Sequence, residues 1–216
     1  MTLNLKNLLN PKIKPSKMGE FQELQPIAGL QISAVSADLY GDGRDDLALF
    51  YFPKGANFAA VYTSSKITST NINWNLKIKR HFVKALMVNT QNANAFTGVK
   101  GAQGLIEIAH SLSKSLTLKS SQSPKGVSDV VKITDLLFFS TGLIGGEFPS
   151  KKIINRIPEL VKKLRTEQNK FVWFKAASAL MTTDTRPKVA YEETKIGNKL
   201  VKISGVAKGS GMISPN

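Results

Sequence analysis

The sequence predicts an α/β protein, and three observations carry that prediction: apolar segments flanking a Gly41-Asp42-Gly43 turn, long segments with apolar residues at helical spacing, and a strand-length apolar run that stops at Ser140-Thr141-Gly142. Alternating apolar positions mark one face of a pleated strand, and spacings of three and four mark one stripe of a helix. At 216 residues, 42% hydrophobic and 21% charged, the chain can bury a sizeable core. No Pro/Gly/Ser-rich linker interrupts it. One α/β unit is therefore expected over 21–207, with a basic arm at 1–20 before it and a loop at 208–216 after it.

Residues 31–39 and 45–52 read as a β-hairpin, because the glycines between them supply the positive backbone angles of a tight turn. The stretch 38–46 also has the alternating carboxylates and central glycine of a calcium loop in propeller repeats, but a propeller needs several copies and there is one, so no metal site is assigned. Residues 58–63 and 85–88, rich in valine, alanine and tyrosine, read as further strands. After Gly101, the residues Leu105, Ile108, Ala109, Leu112 and Leu116 form one helical stripe, with Glu107 and Lys114 on other faces. Residues 130–139 read as a strand. Residues 150–166 return to helical spacing through Ile153, Ile154, Ile157, Leu160 and Leu164, and Pro158, which has no amide hydrogen, is expected to open a second helix at its first position. Residues 171–180 read as buried, and 201–206 as a last strand.

Thirty lysines and arginines face fifteen acidic residues, for a formal net charge of +15. Such a charge attracts anionic substrates, an acidic partner or phosphate backbones. The basic residues are spread (Lys12, Lys14, Lys17; Lys77, Lys79, Arg80; Lys151, Lys152; Lys162, Lys163, Arg165) and carry no interleaved aromatic ladder, so solvated faces are expected and no nucleic-acid partner. Absence of cysteine excludes disulfides, thiolate catalysis and cysteine-ligated zinc in this sequence. The two histidines, His81 and His110, fall in no His-Glu-x-x-His arrangement and are expected to be structural. No apolar run approaches the roughly 20 residues of a membrane helix, and no signal-peptide core opens the chain, so a soluble cytoplasmic protein without a membrane partner is expected.

Three polar clusters each follow an apolar stretch: Asn89-Thr90-Gln91-Asn92-Ala93-Asn94-Ala95-Phe96-Thr97-Gly98, Ser140-Thr141-Gly142-Leu143-Ile144-Gly145-Gly146, and Thr182-Thr183-Asp184-Thr185. Small hydroxyls, amides and glycines offer hydrogen-bond donors without bulk, as a site that holds a carbonyl or its oxyanion requires. Taken singly, each cluster is an ordinary turn or helix cap. The sequence closes on Lys208-Gly209-Ser210-Gly211-Met212-Ile213-Ser214-Pro215-Asn216, a lysine-led glycine loop that reads either as a chain cut in mid-loop, with a second piece expected, or from its local composition equally as a flexible terminal tail.

In their order, and together with Asp46-Leu47-Ala48-Leu49 and the segment from Met181 to Lys188, these motifs resemble the ornithine acetyltransferase (glutamate N-acetyltransferase) family of arginine biosynthesis over nearly the whole chain. The resemblance implies sheets packed with helices in a sandwich of the ornithine acetyltransferase and self-cleaving aminopeptidase type, completed by a separate β chain. It implies a precursor that cuts itself before a threonine a few residues past Asn216, with the present sequence as α chain of an α2β2 heterotetramer. The freed threonine would attack the acetyl carbonyl of N-acetylornithine with its own α-amine as base, ornithine would leave, and glutamate would collect the acetyl group by ping-pong transfer.

By the same resemblance Thr141, through its hydroxyl, and Gly142, through its N–H, form the oxyanion hole. Thr182 and Lys208 bind substrate, Lys208 suiting the carboxylate, and Thr183, Asp184 and Asn94 support them. No cofactor is implied, and acetyl-CoA would enter only as a co-substrate in bifunctional members. The sequence departs from the family pattern at Thr90, Gln91 and Phe96, where serine, glycine and cysteine are usual, and around Asn71 to Trp74, where an alanine-proline segment is usual. These departures bear on the substrate mouth and on acetyl-CoA use. A self-cleaving aminopeptidase or amidase shares the nucleophile logic and is the alternative; acceptor choice separates the two.

Overall fold

A computed structural model describes residues 21–121 and 130–210; the arm at 1–20 and residues 211–216 of the terminal loop lie outside the described residues. A four-stranded sheet has the order β1 (Gln31–Val35), β2 (Leu47–Asn57), β3 (Phe82–Asn89), β4 (Leu136–Ser140). The first three strands are antiparallel neighbours, whereas β3 and β4 run parallel, joined by a crossover through a long helix.

The expected hairpin is present, yet its connection runs from Val35 to Leu47 and is no tight turn at 41–43. Asp46 explains the longer loop. Its buried carboxylate accepts the amides of Ala37 at 2.6 Å and Leu39 at 2.7 Å, so the chain wraps around it before β2 begins. Burial pushes this carboxyl above its ordinary range, although the two amides pull it back. Asp42, the other central carboxylate of the calcium-like stretch, pairs with Arg44 at 2.7 Å.

Residues 58–63 do not form a strand. Asn57 opposite Phe82 is the last ladder pair of β2, Phe58 adds one amide bond to His81, and Val61 is 98% exposed. Strand propensity there finds neither a neighbour nor a face to bury. A short helix instead follows, α1 (Thr70–Asn75), capped by Ser69.

The stripe expected after Gly101 is observed: α2 (Gly98–Ser121) buries Leu105, Ile108, Ala109, Leu112 and Leu116. The strand expected over 130–139 is shorter, because Ile133–Asp135 forms a 3-10 turn. Asp135 causes it, accepting from Lys132 N at 2.9 Å and from Arg80 at 2.7 Å. Pro158 does not open a second helix either; it sits inside a single helix, α3 (Ser150–Lys162). An internal proline costs about 3 kcal/mol, but α3 buries Ile153, Ile157, Leu160 and Val161, each worth roughly 1.5–3 kcal/mol, so burial wins.

The buried segment at 171–180 is helix α4 (Lys170–Ala179), capped by Asn169 and apolar on most sides. The last expected strand is real but longer, β6 (Lys199–Ala207), and it pairs with β5 (Lys188–Ile196) in a separate two-stranded sheet. Strand β5 was not expected. Gly197 at φ +59, beside Asn198, is the hairpin signal that marks it.

Helices α2 and α3 pack on the sheet face made by Leu47, Leu49, Tyr51, Ala85, Met87, Leu136 and Phe138. Helix α4 covers the opposite face through Trp173, Ala176 and Ala179. The β5–β6 hairpin joins this second layer through Val189, Tyr191 and Val206. Its position is fixed by Gln22, whose side-chain amide exchanges two hydrogen bonds with the Tyr191 backbone. The α/β class is thus borne out. Among the described residues, no helix is long and apolar enough to cross a membrane.

Candidate functional site

Parallel pairing of β3 with β4 brings the first two polar clusters side by side at the carboxyl ends of neighbouring strands, where open α/β sheets hold ligands. The pairing continues into the loops: Thr141 N donates to Asn89 O at 3.1 Å, Leu143 N to Gln91 O at 2.8 Å, and Ala93 N to Leu143 O at 2.8 Å. The N–H of Gly142, between two satisfied neighbours, has no hydrogen-bond partner among the described residues. Gly142 lies at φ +134, and a Cβ there would overlap the Gln91 carbonyl and sit 2.7 Å from Asn92 N. Only glycine fits this approach, and the residue is exposed.

The facing loop is itself strained. Gln91, Asn94 and Phe96 all adopt positive φ, at +75, +48 and +56. Each such non-glycine residue costs on the order of 1–3 kcal/mol, and such strain collects at functional sites. Buried side chains hold the loop in this shape. Asn92 Oδ1 accepts Asn94 N at 2.7 Å, while Asn92 Nδ2 donates to Gly146 O at 3.0 Å and Glu147 O at 3.2 Å, tying the two clusters together.

The third cluster and the terminal loop complete the group. Lys208 Nζ donates to Thr141 Oγ1 and to Thr182 Oγ1, each at 2.9 Å. Both hydroxyls therefore accept from the same ammonium, and the Thr141 proton is left to point elsewhere. Lys208 forms no ion pair among the described residues, and it retains a third N–H.

Asp184 organises this side. Its Oδ1 accepts from Lys188 Nζ and from Gly209 N, both at 2.7 Å, and its Oδ2 accepts from Thr182 N at 3.2 Å. Burial would raise its carboxyl, but the bonds from Lys188, Gly209 and Thr182 outweigh that and hold it below its ordinary range.

Of the residues singled out in the sequence, Thr141, Gly142, Thr182 and Lys208 thus converge. Asp184 supports them through the Thr182 and Gly209 amides. Asn94 is fully buried behind the site. Thr183 contributes its carbonyl to Ser210 Oγ at 3.3 Å, while the residue itself is exposed. His81 stands before β3, at the end of the sheet away from Asn89, against Phe58, and His110 is exposed on α2.

Asn71, Asn89 and Ser140, to which the sequence reading gave no site role of their own, form a hydrogen-bond network beside Thr141 in which both asparagines are buried and Ser140 is half-buried. Clustering of asparagines in both 71–75 and 89–94 is the signal that could have found them. Chemically, the group offers a directed hydroxyl and a bare N–H beside one unneutralised cation, which suits an oxygen that gains negative charge and a carboxylate close by.

Comparison with known proteins identifies the family and the fold. The family model described as ArgJ family matches residues 31–216. The arginine biosynthesis bifunctional protein ArgJ of Bartonella quintana is 35% identical over 206 residues, covering 95% of this chain and 46% of that protein. The protein of the same name from Caulobacter vibrioides is 36% identical over 203 residues, covering 91% of this chain and 45% of that one. The chain spans about half the length of the curated relatives it matches.

Among solved structures, ArgJ of Bacillus halodurans superimposes with a TM-score of 0.74 at 27% identity, covering 88% of this chain and 91% of that one. The ornithine acetyltransferase of Mycobacterium tuberculosis, complexed with ornithine, superimposes with a TM-score of 0.74 at 25% identity, covering 90% of this chain and 98% of that one.

Proposed function

Because the chain belongs to the ArgJ family, as its motifs implied, we propose that it supplies the oxyanion and substrate-binding half of an acyltransferase that moves an acetyl group from N-acetylornithine to glutamate. The observation that carries this reading is the Lys208 ammonium bridging the Thr141 and Thr182 hydroxyls beside the unpaired Gly142 N–H. Each tetrahedral intermediate of acyl transfer places negative charge on one oxygen. The Thr141 hydroxyl, with its lone pair occupied by Lys208, directs its proton toward that oxygen, and the Gly142 N–H is the second donor. Lys208 and Thr182 hold the amino-acid end of the substrate, the ammonium meeting the carboxylate common to N-acetylornithine and glutamate. That a solved relative is complexed with ornithine, the first product in this scheme, supports the assignment.

The nucleophile in this reading is a threonine made N-terminal by self-cleavage of the precursor, with its α-amine as base, in a cytoplasmic α2β2 assembly; its acetyl ester is the intermediate that glutamate resolves. Acetyl-CoA would be a second donor to the same ester. The test uses the full-length gene product. Intact mass should show two fragments, the second beginning with threonine, and the purified protein should transfer labelled acetyl from N-acetylornithine to glutamate. Peptide or amide hydrolysis with no acetyl transfer would instead establish the self-cleaving hydrolase alternative.

A further inference from the structure

On the acyl-transfer reading just given, we propose that Asn71 is a positioning residue for the Thr141-Gly142 turn and acts through Ser140. Asn71 lies on α1, is 3% exposed, and links two segments that are distant in sequence. Its Nδ2 donates to Ser140 Oγ at 2.8 Å, and its Oδ1 accepts from Asn94 Nδ2 at 3.0 Å. The series extends in both directions. Thr97 Oγ1 donates to Asn94 Oδ1 at 2.7 Å, the Ser140 hydroxyl donates to Asn89 Oδ1, and Asn89 Nδ2 donates to the carbonyls of Thr90 and Asn92 at 3.2 and 3.1 Å. From Thr97 to Asn89 the side-chain donors follow one another in the same sense along one path, with Asn94 Nδ2 reaching Gly101 O at 3.4 Å as a side branch. That path runs behind both walls of the site, because Ser140 immediately precedes Thr141 and the Gln91–Asn92 backbone is the surface on which Gly142 rests.

Asn71 is not required to attach its helix. Trp74 Nε1 donates to Leu136 O at 3.0 Å, and Asn75 exchanges two bonds with the Phe138 backbone at 2.9 and 3.0 Å, so α1 is already anchored along the outer edge of β4. With the helix held there, Asn71 reaches the strand's last residue and fixes which way the Ser140 proton points. A buried network in which every member is satisfied rigidifies what it touches.

Asn71→Asp keeps the shape but replaces the donor facing Ser140 with an acceptor, so the hydroxyl proton must turn away from Asn89. In the full-length product, kcat for acetyl transfer should fall about tenfold or more through misalignment of the turn, with KM for N-acetylornithine within about twofold. Ser140→Ala should do the same, and the double variant should lose little more than the worse single one, since both cut one link. A folded single variant with unchanged kcat, or losses that add in the double, would overturn the proposal. A lowered Tm with full kcat per folded molecule would overturn it too, since that is the mark of a merely structural role. Should Asn71→Asp fail to fold, Ser140→Ala, which removes one hydroxyl, decides alone. A wild-type protein that transfers no acetyl group sinks the acyl-transfer reading itself, whereas an active wild type with unaffected variants sinks only the positioning role.

Discussion

Thr141→Val separates the oxyanion role from substrate binding most sharply. Valine preserves the branched shape, and Thr141 needs no unusual backbone angle. What disappears is Oγ1, and with it two interactions: the bond accepted from Lys208 at 2.9 Å and the proton available to a developing oxyanion. Because Lys208 is exposed, loss of the first is worth little, as exposed charge interactions are screened. Loss of the second removes one of two donors and should lower kcat about 10²- to 10³-fold, equivalent to roughly 2.7–4 kcal/mol of transition-state stabilisation. Residual activity should persist, since the Gly142 N–H is untouched.

Steady-state kinetics of acetyl transfer by the full-length product provide the assay. The fall should appear in kcat with KM for N-acetylornithine within a few-fold, and Thr141→Ser should recover most of it. Thr182→Val is the matched control, since it deletes the other hydroxyl that accepts from Lys208 but no oxyanion donor, so it should raise KM and spare kcat. Equal losses of kcat in the two valine variants, or a pure KM effect at Thr141, would refute the assignment.

Gly142→Ala forces a side chain onto the Gln91 carbonyl at φ +134, which should cost about 1–3 kcal/mol of stability; at about 2–4 °C per kcal/mol for a chain of this size, calorimetry should show a drop of several degrees in Tm alongside a collapse of kcat. Lys208→Met keeps the stem and deletes the charge, so KM for N-acetylornithine should rise about tenfold or more, and the difference from wild type should shrink in high salt. Asp184→Asn tests the acid limb of stability. Burial raises the Asp184 carboxyl but Lys188, Gly209 and Thr182 lower it further, so its net shift is downward; its contribution is present above about pH 4 and lost as pH falls below that. Denaturant midpoints should therefore put the variant below wild type at pH 7 and narrow the gap as pH falls through the lowered range of the folded-state carboxyl, and a gap that widened in acid would reverse the sign.

Where one stripe of the sequence faced one surface, the fold was legible, as in α2, whose Leu105, Ile108, Ala109, Leu112 and Leu116 are all buried. It was illegible where a tertiary partner decided. The proline at 158 stays inside α3 because the buried stripe outweighs it, and residues 58–63 have strand composition but no strand to pair with. The short helix α1 has only six residues, and its asparagines make sense only against the edge of β4. The site shows the same division. Residue types in the three clusters were readable as donors, but the Lys208 contact to Thr141 closes across 67 positions, a separation that no local pattern encodes. Resemblance to a family named both residues as site positions with separate roles, and the structure brought them into contact.

Charge placement at the site follows from what Asp184 does with its oxygens. A carboxylate so close to Lys208 could have neutralised it, and the ammonium would then have had little to offer a substrate. Asp184 instead binds Lys188 and the amide of Gly209, the residue next to Lys208. It thereby fixes the backbone that aims Lys208 while its negative charge is satisfied by a different lysine. On the other side of the site the supports are asparagine amides and serine and threonine hydroxyls, which orient the turn without adding charge. In the proposed oxyanion site, Thr141 and Gly142 therefore stand beside a lysine that forms no ion pair among the described residues. Of the chain's formal net charge of +15, the part that stands at the proposed site is Lys208, which forms no ion pair among the described residues.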